Sequence, residues 1–559
     1  MTLQDAMLTS LPSHESVFGV LTARHVFILI CGWLGYHVLR ALWNISPFHP
    51  LSHIPGPKLA AATYLPEFWH DVVKFGRYTH EIKKMHEIYG INFHKSYHHG
   101  GGSCLALTLN IGPIVRINPE EIHCNDIHFV NEISPTSTSR KREKSAHNLA
   151  GFTVSDSAFG TIDHDLHRMR RGAMARLFSK AQIVELERHL ERLAQHMCDK
   201  LLRESERQDP IDLRDVYSCF TADVISEYCF GESWGFLAQE SWLPNFRKPM
   251  FAILNAIHVL RFFPFLNSIS ELGLWFPNFV SEDAKLLAQT MHVDVPNMVK
   301  KAQANLDAGI PTERPTIFNE ILTAKIPLEE KSLGRLVREA TLLLMAGTET
   351  VAWTLTVATV YLLSYPDMLS KLTEELRAAV DDPQNLPSWS ALEKLPYLSG
   401  VIQESLRLSH GASARVSRVP TEEDLVWKGS WKTPDGGKKQ AVYVLPRGYS
   451  IGTSNVLLHQ DESIFPDSLS FKPERWLDEN MERRKDLDRY QMAFQKGSRG
   501  CIGLTLALCE LHLVMAVLVL RVFPKMRLYE TTIDDVEYDH DLNIAQPSLK
   551  SKGVKVIML

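Results

Sequence analysis

The sequence predicts a mainly α-helical protein with a small β region, carried behind one N-terminal transmembrane helix. Three stretches of its 559 residues predict this. Residues 17–39 are apolar over about the length needed to cross a bilayer. Residues 332–363 carry the longest helical pattern in the chain, with no internal proline. A glycine-rich loop, Phe494-Gln495-Lys496-Gly497-Ser498-Arg499-Gly500-Cys501-Ile502-Gly503, runs directly into another helical pattern at Leu504, Leu506, Ala507, Leu508, Leu511, Leu513 and Val514.

The N-terminal element is read as a retained membrane anchor. Residues 1–23 contain no Lys or Arg, whereas Arg40, Lys58, Lys74 and Arg77 follow the span. A cleaved leader has a basic start and a small-residue cleavage site. The basic residues after the span place the main body on the cytosolic side. The chain therefore divides into an N-terminal segment 1–45 and a body 46–559. Ile54-Pro55-Gly56-Pro57 predicts a rigid, non-helical bend between them.

A helix is expected over 67–89, from Val72, Val73, Phe75, Ile82, Met85 and Ile88. Residues 91–111 have no periodicity and carry three consecutive glycines, Gly100–Gly102. They read as an atypical insertion, a retained intron or an error in the gene model. Their His94, His98, His99 and Cys104 are weak grounds for a metal site. A strand is expected at Pro113–Pro119 and a helix opening at Asp163. Residues 242–280 are rich in Phe, Trp, Leu and Pro, and read as channel lining plus a segment that touches a membrane surface. Residues 425–456 alternate like strands, with a turn at Thr433–Lys439.

Composition narrows the function. A net charge of −5 with no long like-charge run gives no sign of a nucleic-acid partner. The eight cysteines are scattered, without CxxC pairs, which argues against a disulfide framework or a zinc site and fits a reducing compartment. One of them is special by context. Cys501 sits in a tight loop whose free N–H groups, with the helix start beyond it, are able to hold a thiolate and tune it.

Five fixed points in this loop, Phe494, Gly497, Arg499, Cys501 and Gly503, resemble the heme-binding signature of the cytochrome P450 family. The resemblance covers about residues 50–559. It implies the cytochrome P450 fold, and heme b (iron protoporphyrin IX) ligated by the Cys501 thiolate. Three further motifs stand in the family's order. Ala346-Gly347-Thr348-Glu349-Thr350, in mid-helix, is similar to the oxygen-activation motif, departing only at Val351. Thr350 is expected to bond the Ala346 carbonyl and open the helix locally. Glu349 and Thr350, an acid beside an alcohol, are then the candidate catalytic proton relay. Glu404-Ser405-Leu406-Arg407 with Arg475 resembles the family's buried Glu–Arg–Arg brace. His167 and Arg171, four apart on one helix face, match with Arg418 the positions that hold heme propionates, and Arg499 is a fourth such grip. Arg168 and Arg170 point elsewhere and are candidates for docking an acidic redox partner.

What the resemblance implies is a heme-thiolate monooxygenase, most like fungal microsomal members of secondary metabolism. One oxygen atom from dioxygen would enter a terpenoid-like or other lipophilic small molecule. Electrons would come from NADPH through NADPH–cytochrome P450 reductase, since no flavin- or nicotinamide-binding region follows Cys501. The expected location is the endoplasmic reticulum membrane, single-pass, with a cytosolic body. Two other readings are a heme-thiolate isomerase or dehydratase that uses no dioxygen, and a non-catalytic heme-binding protein. The intact Glu349-Thr350 pair argues against both.

Overall fold

The computed structural model describes residues 23–89, 112–266 and 282–559, apart from positions 138, 153, 208 and 312 and residues 433–437. Residues 17–22, the 91–111 insertion with its histidines and Cys104, the Trp275–Phe279 stretch and the Thr433–Gly437 segment lie outside the described residues.

Among the described residues the N-terminal helix covers Ala23–Ile45, continuing past the expected end at 39. Its apolar side chains, among them Phe27, Leu34 and Leu39, are exposed. Two other helices match it in length and apolarity, Leu333–Ser364 and Leu504–Lys525, but both are mostly buried inside the body. The base of the N-terminal helix is tied to the body. Arg40 pairs with Glu120 at 2.7 Å, Arg116 donates to the Asn44 carbonyl at 2.9 Å, and Asn44 donates to the Ala62 carbonyl at 3.0 Å.

The helix expected over 67–89 is broken in two. A short helix at Leu65–Phe68 continues as a wider turn to Val73, and a second helix runs Tyr78–Tyr89. Between them the chain turns left-handed at Phe75 and Gly76. Two tertiary contacts fix this break. The Asp541 N–H donates to the Gly76 carbonyl at 2.8 Å, and Asp71 Oδ1 accepts from the Tyr78 N–H at 3.1 Å, starting the next helix.

Leu333–Ser364 is one unbroken helix, within a residue of its expected bounds. It runs through the main apolar core and packs along the helix Leu213–Phe230. Gly347 makes that approach possible: a Cβ there would stand 2.6 Å from Ile225 Cγ1. The helix Leu504–Val517 packs on the helix Lys180–Arg203 and also touches the long helix. The β region is small. A five-stranded sheet has the order Ile114–Asn118, Glu121–Cys124, Ser450–Thr453, Val416–Pro420, Arg142–Glu143. Leu425–Lys432 and Lys438–Leu445 form a separate antiparallel hairpin, as the alternation predicts. In the aromatic-rich stretch, Trp242 and Phe246 are core residues, whereas Phe263 and Phe265 are exposed.

Candidate active site around Cys501

The Cys501 loop is shaped before any helix begins. Its positive φ residues, Gln495 (61°) and Gly497 (75°), fold the chain back on itself. Glycine is required at 497, because a Cβ there would lie 2.3 Å from the Ser134 carbonyl oxygen. The Cys501 N–H donates to the Phe494 carbonyl at 2.8 Å, and the Gly500 N–H to the Gly497 carbonyl at 3.0 Å. Gly503 is the N-cap of the helix Leu504–Val517. The Cys501 side chain faces open space, yet burial pushes its thiol pKa up. The Gly503 N–H and the Arg171 charge pull the pKa down, without fully offsetting burial. The Gly503 N–H and Arg171 thus act in the direction the sequence predicts, with burial working against them. A metal cation on the sulfur is what would complete the ionisation.

Beside the loop stands a cluster of cations, Arg418 and Arg499 buried and Lys144 partly buried. Arg418 donates to its neighbour's carbonyl, Ser417, at 2.8 Å. Lys144 donates to the Phe159 carbonyl and lies over that ring, 3.5 Å from its centroid. Arg499 donates to four backbone carbonyls, those of Arg142, Thr161, Ile162 and Asp163. No carboxylate among the described residues hydrogen-bonds any of the three. Burial lowers the pKa of Arg418 to about 9, with the Arg499 charge adding to it. Burial lowers Arg499 to about 10 and Lys144 well below its ordinary value. Three such groups around one cavity need an anion. The two propionates of a heme carry that charge, so the residues fit the group that the sequence implies. Lys144 escaped the sequence reading; its only signal is the basic run Arg140-Lys141-Arg142-Glu143-Lys144.

The helix His164–Ala175, capped by Asp163 Oδ1 on the Leu166 N–H at 2.7 Å, brings in His167 and Arg171. Burial and the neighbouring cations push His167 down to about 3. Arg171 donates to the Gly500 carbonyl at 2.8 Å, next to the sulfur. Arg170 is not free to dock a partner. It is buried, with two hydrogen bonds to Glu330 at 2.7 and 2.9 Å. Arg168 is exposed.

On the long helix, Thr350 Oγ1 donates to the Ala346 carbonyl at 2.9 Å, as expected. The expected local opening is absent, and the helix is continuous there. A carbonyl oxygen has two lone pairs, so this bond adds to the helical ladder without breaking it. Ala346 is exposed and Thr350 half-exposed, in a helix otherwise largely buried. Glu349 points elsewhere. It is fully buried, and its Oε2 accepts from Arg214 Nη2 at 3.1 Å. Arg214 lies between the rings of Phe251 and Trp353 and also donates to Gln546 at 3.2 Å. Glu349 Oε1 has no hydrogen-bond partner among the described residues. Acid and alcohol are neighbours in sequence but face different sides.

Glu404 forms the centre of the brace. It accepts from Arg407 Nε (2.9 Å) and Nη2 (2.8 Å) and from Arg475 Nε (2.9 Å). Two donors that the motif does not announce complete it: Trp476 Nε1 and the Lys472 N–H, both at 2.9 Å. Arg407 then reaches the His459 carbonyl at 3.0 Å, and His459 Nε2 accepts from the Met492 N–H at 2.9 Å. This chain of bonds ends two residues before Phe494, so the brace holds the entrance of the Cys501 loop.

Comparison with known proteins agrees with this geometry. The family model described as Cytochrome P450 matches residues 93–542. The cytochrome P450 monooxygenase ppzE of Metarhizium majus is 40% identical over 82% of this chain and 92% of its own. The cytochrome P450 monooxygenase tpcC of Cochliobolus heterostrophus is 35% identical over 94% of this chain and 96% of its own. The tryptophan 6-hydroxylase fscE of Fusarium equiseti is 33% identical over 95% of each chain.

Proposed function

Since the chain belongs to the cytochrome P450 family, we propose that it inserts one atom of dioxygen into a small lipophilic molecule of fungal secondary metabolism. Electrons come from NADPH through a separate NADPH–cytochrome P450 reductase. The observation that carries this reading is the free, exposed Cys501 thiol in a loop beside Lys144 and Arg418, neither of which is hydrogen-bonded to a carboxylate among the described residues. Heme b, bound through Cys501, supplies the activation of dioxygen. Lys144 and Arg418 hold its propionates with His167. Arg499 contributes its charge while pinning residues 161–163 against the loop. Arg171 and the Gly503 N–H stabilise the sulfur. The Thr350 hydroxyl holds and passes protons where the long helix is open at Ala346 and Thr350. Glu349, held by Arg214 on another side of the helix, fixes that turn of the helix rather than facing the Thr350 hydroxyl. Glu404, Arg407 and Arg475 keep the loop rigid.

The substrate is an oxidisable scaffold, terpenoid-like or aromatic. Relatives named for hydroxylating tryptophan and N-acetyltryptophan, 33% and 32% identical, support the aromatic side. The helix Ala23–Ile45 spans the endoplasmic reticulum membrane once, with the body 46–559 cytosolic. Its exposed apolar side chains and the basic residues that follow it support this.

The test is product formation by the full chain with reductase, NADPH and isotopically labelled dioxygen. One labelled oxygen atom per product is expected. A product made without NADPH or dioxygen, or an isomer of the substrate, would overturn the reading. In the same assay Thr350→Ala is expected to lower product per NADPH by about tenfold, the difference appearing as hydrogen peroxide. Unchanged coupling would remove Thr350 from proton handling. Arg418→Met separates the anion site from the fold. Replacing a buried unpaired charge with an apolar side chain is expected to stabilise the heme-free protein by about 1–4 kcal/mol, while heme is retained less well. Calorimetry on the heme-free protein and heme retention on dilution check both; equal retention would overturn the propionate assignment.

A further inference from the structure

The cavity beside the Cys501 loop is lined by more than the cations assigned to the heme. Three other elements contribute polar side chains to its wall. Asn148 comes from the short helix Ala146–Leu149, His258 and Arg261 from the helix Arg247–Phe262, and Arg415 from just before the strand Val416–Pro420. Phe152 and Ile257 supply apolar wall. No carboxylate stands among the described residues that line it. Unlike Arg418 and Arg499, the two further arginines are paired from behind. Arg261 Nη1 donates to Glu67 at 3.2 Å and to Asp71 at 2.9 Å. Arg415 Nη2 donates to Glu67 at 2.7 Å, and its guanidinium lies 3.6 Å from Asp71 and 3.8 Å from Glu121. Two guanidiniums thus meet three carboxylates, all of them buried, so their charge is already compensated. Their hydrogen-bonding capacity is not used up. Arg261 Nε and Arg415 Nε have no partner among the described residues. His258 Nε2 donates to the Asp541 carbonyl at 2.6 Å. A carbonyl only accepts, so that bond selects the tautomer whose Nδ1 is an acceptor, and Nδ1 has no hydrogen-bond partner among the described residues. Asn148 is oriented by its amide nitrogen, which donates to Ser417 at 2.7 Å and to Glu121 at 3.3 Å; its Oδ1 is buried without a partner among the described residues. His258 is only 3% exposed and Arg261 7%. Donors and acceptors left open in such a place cost free energy until a ligand fills them.

We propose that the substrate carries a neutral amide and that this wall recognises it: Arg261 and Arg415 donate to the amide oxygen, and Asn148 and His258 accept from the amide N–H. The charge count selects the group. A substrate carboxylate would bring a fourth negative charge to two guanidiniums. A substrate ammonium would need a carboxylate on the wall, and the described wall has none. An amide adds no charge and engages the open donors and the open acceptors together. The rest of the molecule is apolar, to match Phe152 and Ile257. Holding one end of an apolar molecule by directional bonds restricts its turning, which is what a single site of oxidation requires.

The proposal rests on the reading that the protein oxidises a small lipophilic molecule, and binding measured without NADPH tests it separately. The heme-loaded full chain is dialysed to equilibrium against four phenyl compounds of similar size: N-acetylphenethylamine, phenethylamine, phenylbutyrate and pentylbenzene. The amide is expected to bind at least about tenfold more tightly than each of the others. Asn148→Leu is expected to bring the amide within about twofold of pentylbenzene while leaving pentylbenzene binding unchanged. His258→Phe does the same from a different helix, and keeps the test open if Asn148→Leu does not accumulate. Tightest binding of the acid or the amine, equal binding of all four, or binding of none would overturn the proposal. So would an amide preference that survives in both variants. An amide preference without labelled product in the dioxygen assay would leave the amide site standing and overturn the oxidation reading; labelled product without an amide preference would do the reverse.

Discussion

Glu404→Gln is expected to abolish accumulation of folded protein. The carboxylate is fully buried and takes five hydrogen bonds, three of them from Arg407 and Arg475. Arg407 is also fully buried. An amide of the same shape turns N–H donors toward guanidinium N–H donors, and the charge of Arg407 loses its partner. Breaking one side of a buried pair costs about 3–5 kcal/mol, against a total stability of about 5–15 kcal/mol for a typical domain. The damage passes through Arg407 and His459 to Met492 and the Cys501 loop, so heme binding fails with the fold. Glu474 is the control. It lies one residue before Arg475 and pairs with Lys371 at 2.7 Å, with both side chains substantially exposed. Glu474→Gln is expected to change stability by no more than about 1 kcal/mol. Soluble yield, heme content and thermal unfolding of both variants decide the matter. A Glu404→Gln protein that melts with the parent would remove the brace from the account.

Much of this site was legible in the sequence because its constraints are local. The Cys501 loop needs glycine at 497, and a glycine in a tight loop can be read from the chain. The long helix was readable from its period and its lack of proline, and the hairpin from alternation. What escaped was set by partners far away in sequence. The helix break at Phe75 and Gly76 depends on Asp541, which no window around residue 76 contains. Glu349 looked like half of an acid–alcohol pair; its actual partner is Arg214, 135 positions away, and adjacent residues on a helix point about 100° apart. Lys144 stands in a basic run that carries no motif. It becomes informative only when folding puts it beside Arg418 and Arg499 without a carboxylate. Arg170 was misjudged for the same reason, since Glu330 claims it. Chemistry written into a short motif is readable, and charge compensation across the fold is not.

Cys501→Ser is expected to leave the fold intact and remove the activity. The substitution changes one atom, and that atom faces open space and not packed neighbours. Three of the loop's bonds do not involve the sulfur and persist: Cys501 N–H to Phe494, Gly500 N–H to Gly497, and Arg171 to the Gly500 carbonyl. Stability is therefore expected within about 1 kcal/mol of the parent, as for a substitution that opens no cavity. The chemistry is different. A serine hydroxyl does not ionise under these conditions, and it offers iron a far weaker donor than a thiolate. The Gly503 N–H and the Arg171 charge, which help offset burial of a sulfur anion, have no anion to act on. The reduced protein with carbon monoxide is expected to lose the absorption band typical of thiolate-ligated heme. Product formation is expected to fall by about 10³-fold or more, equivalent to about 4 kcal/mol of barrier. Circular dichroism and thermal unfolding check the first half, and the carbon monoxide spectrum and turnover check the second. A variant that kept the thiolate spectrum would move the ligand to another cysteine. The described alternatives, Cys124, Cys198, Cys219, Cys229 and Cys509, are all buried, and Cys31 lies on the N-terminal helix.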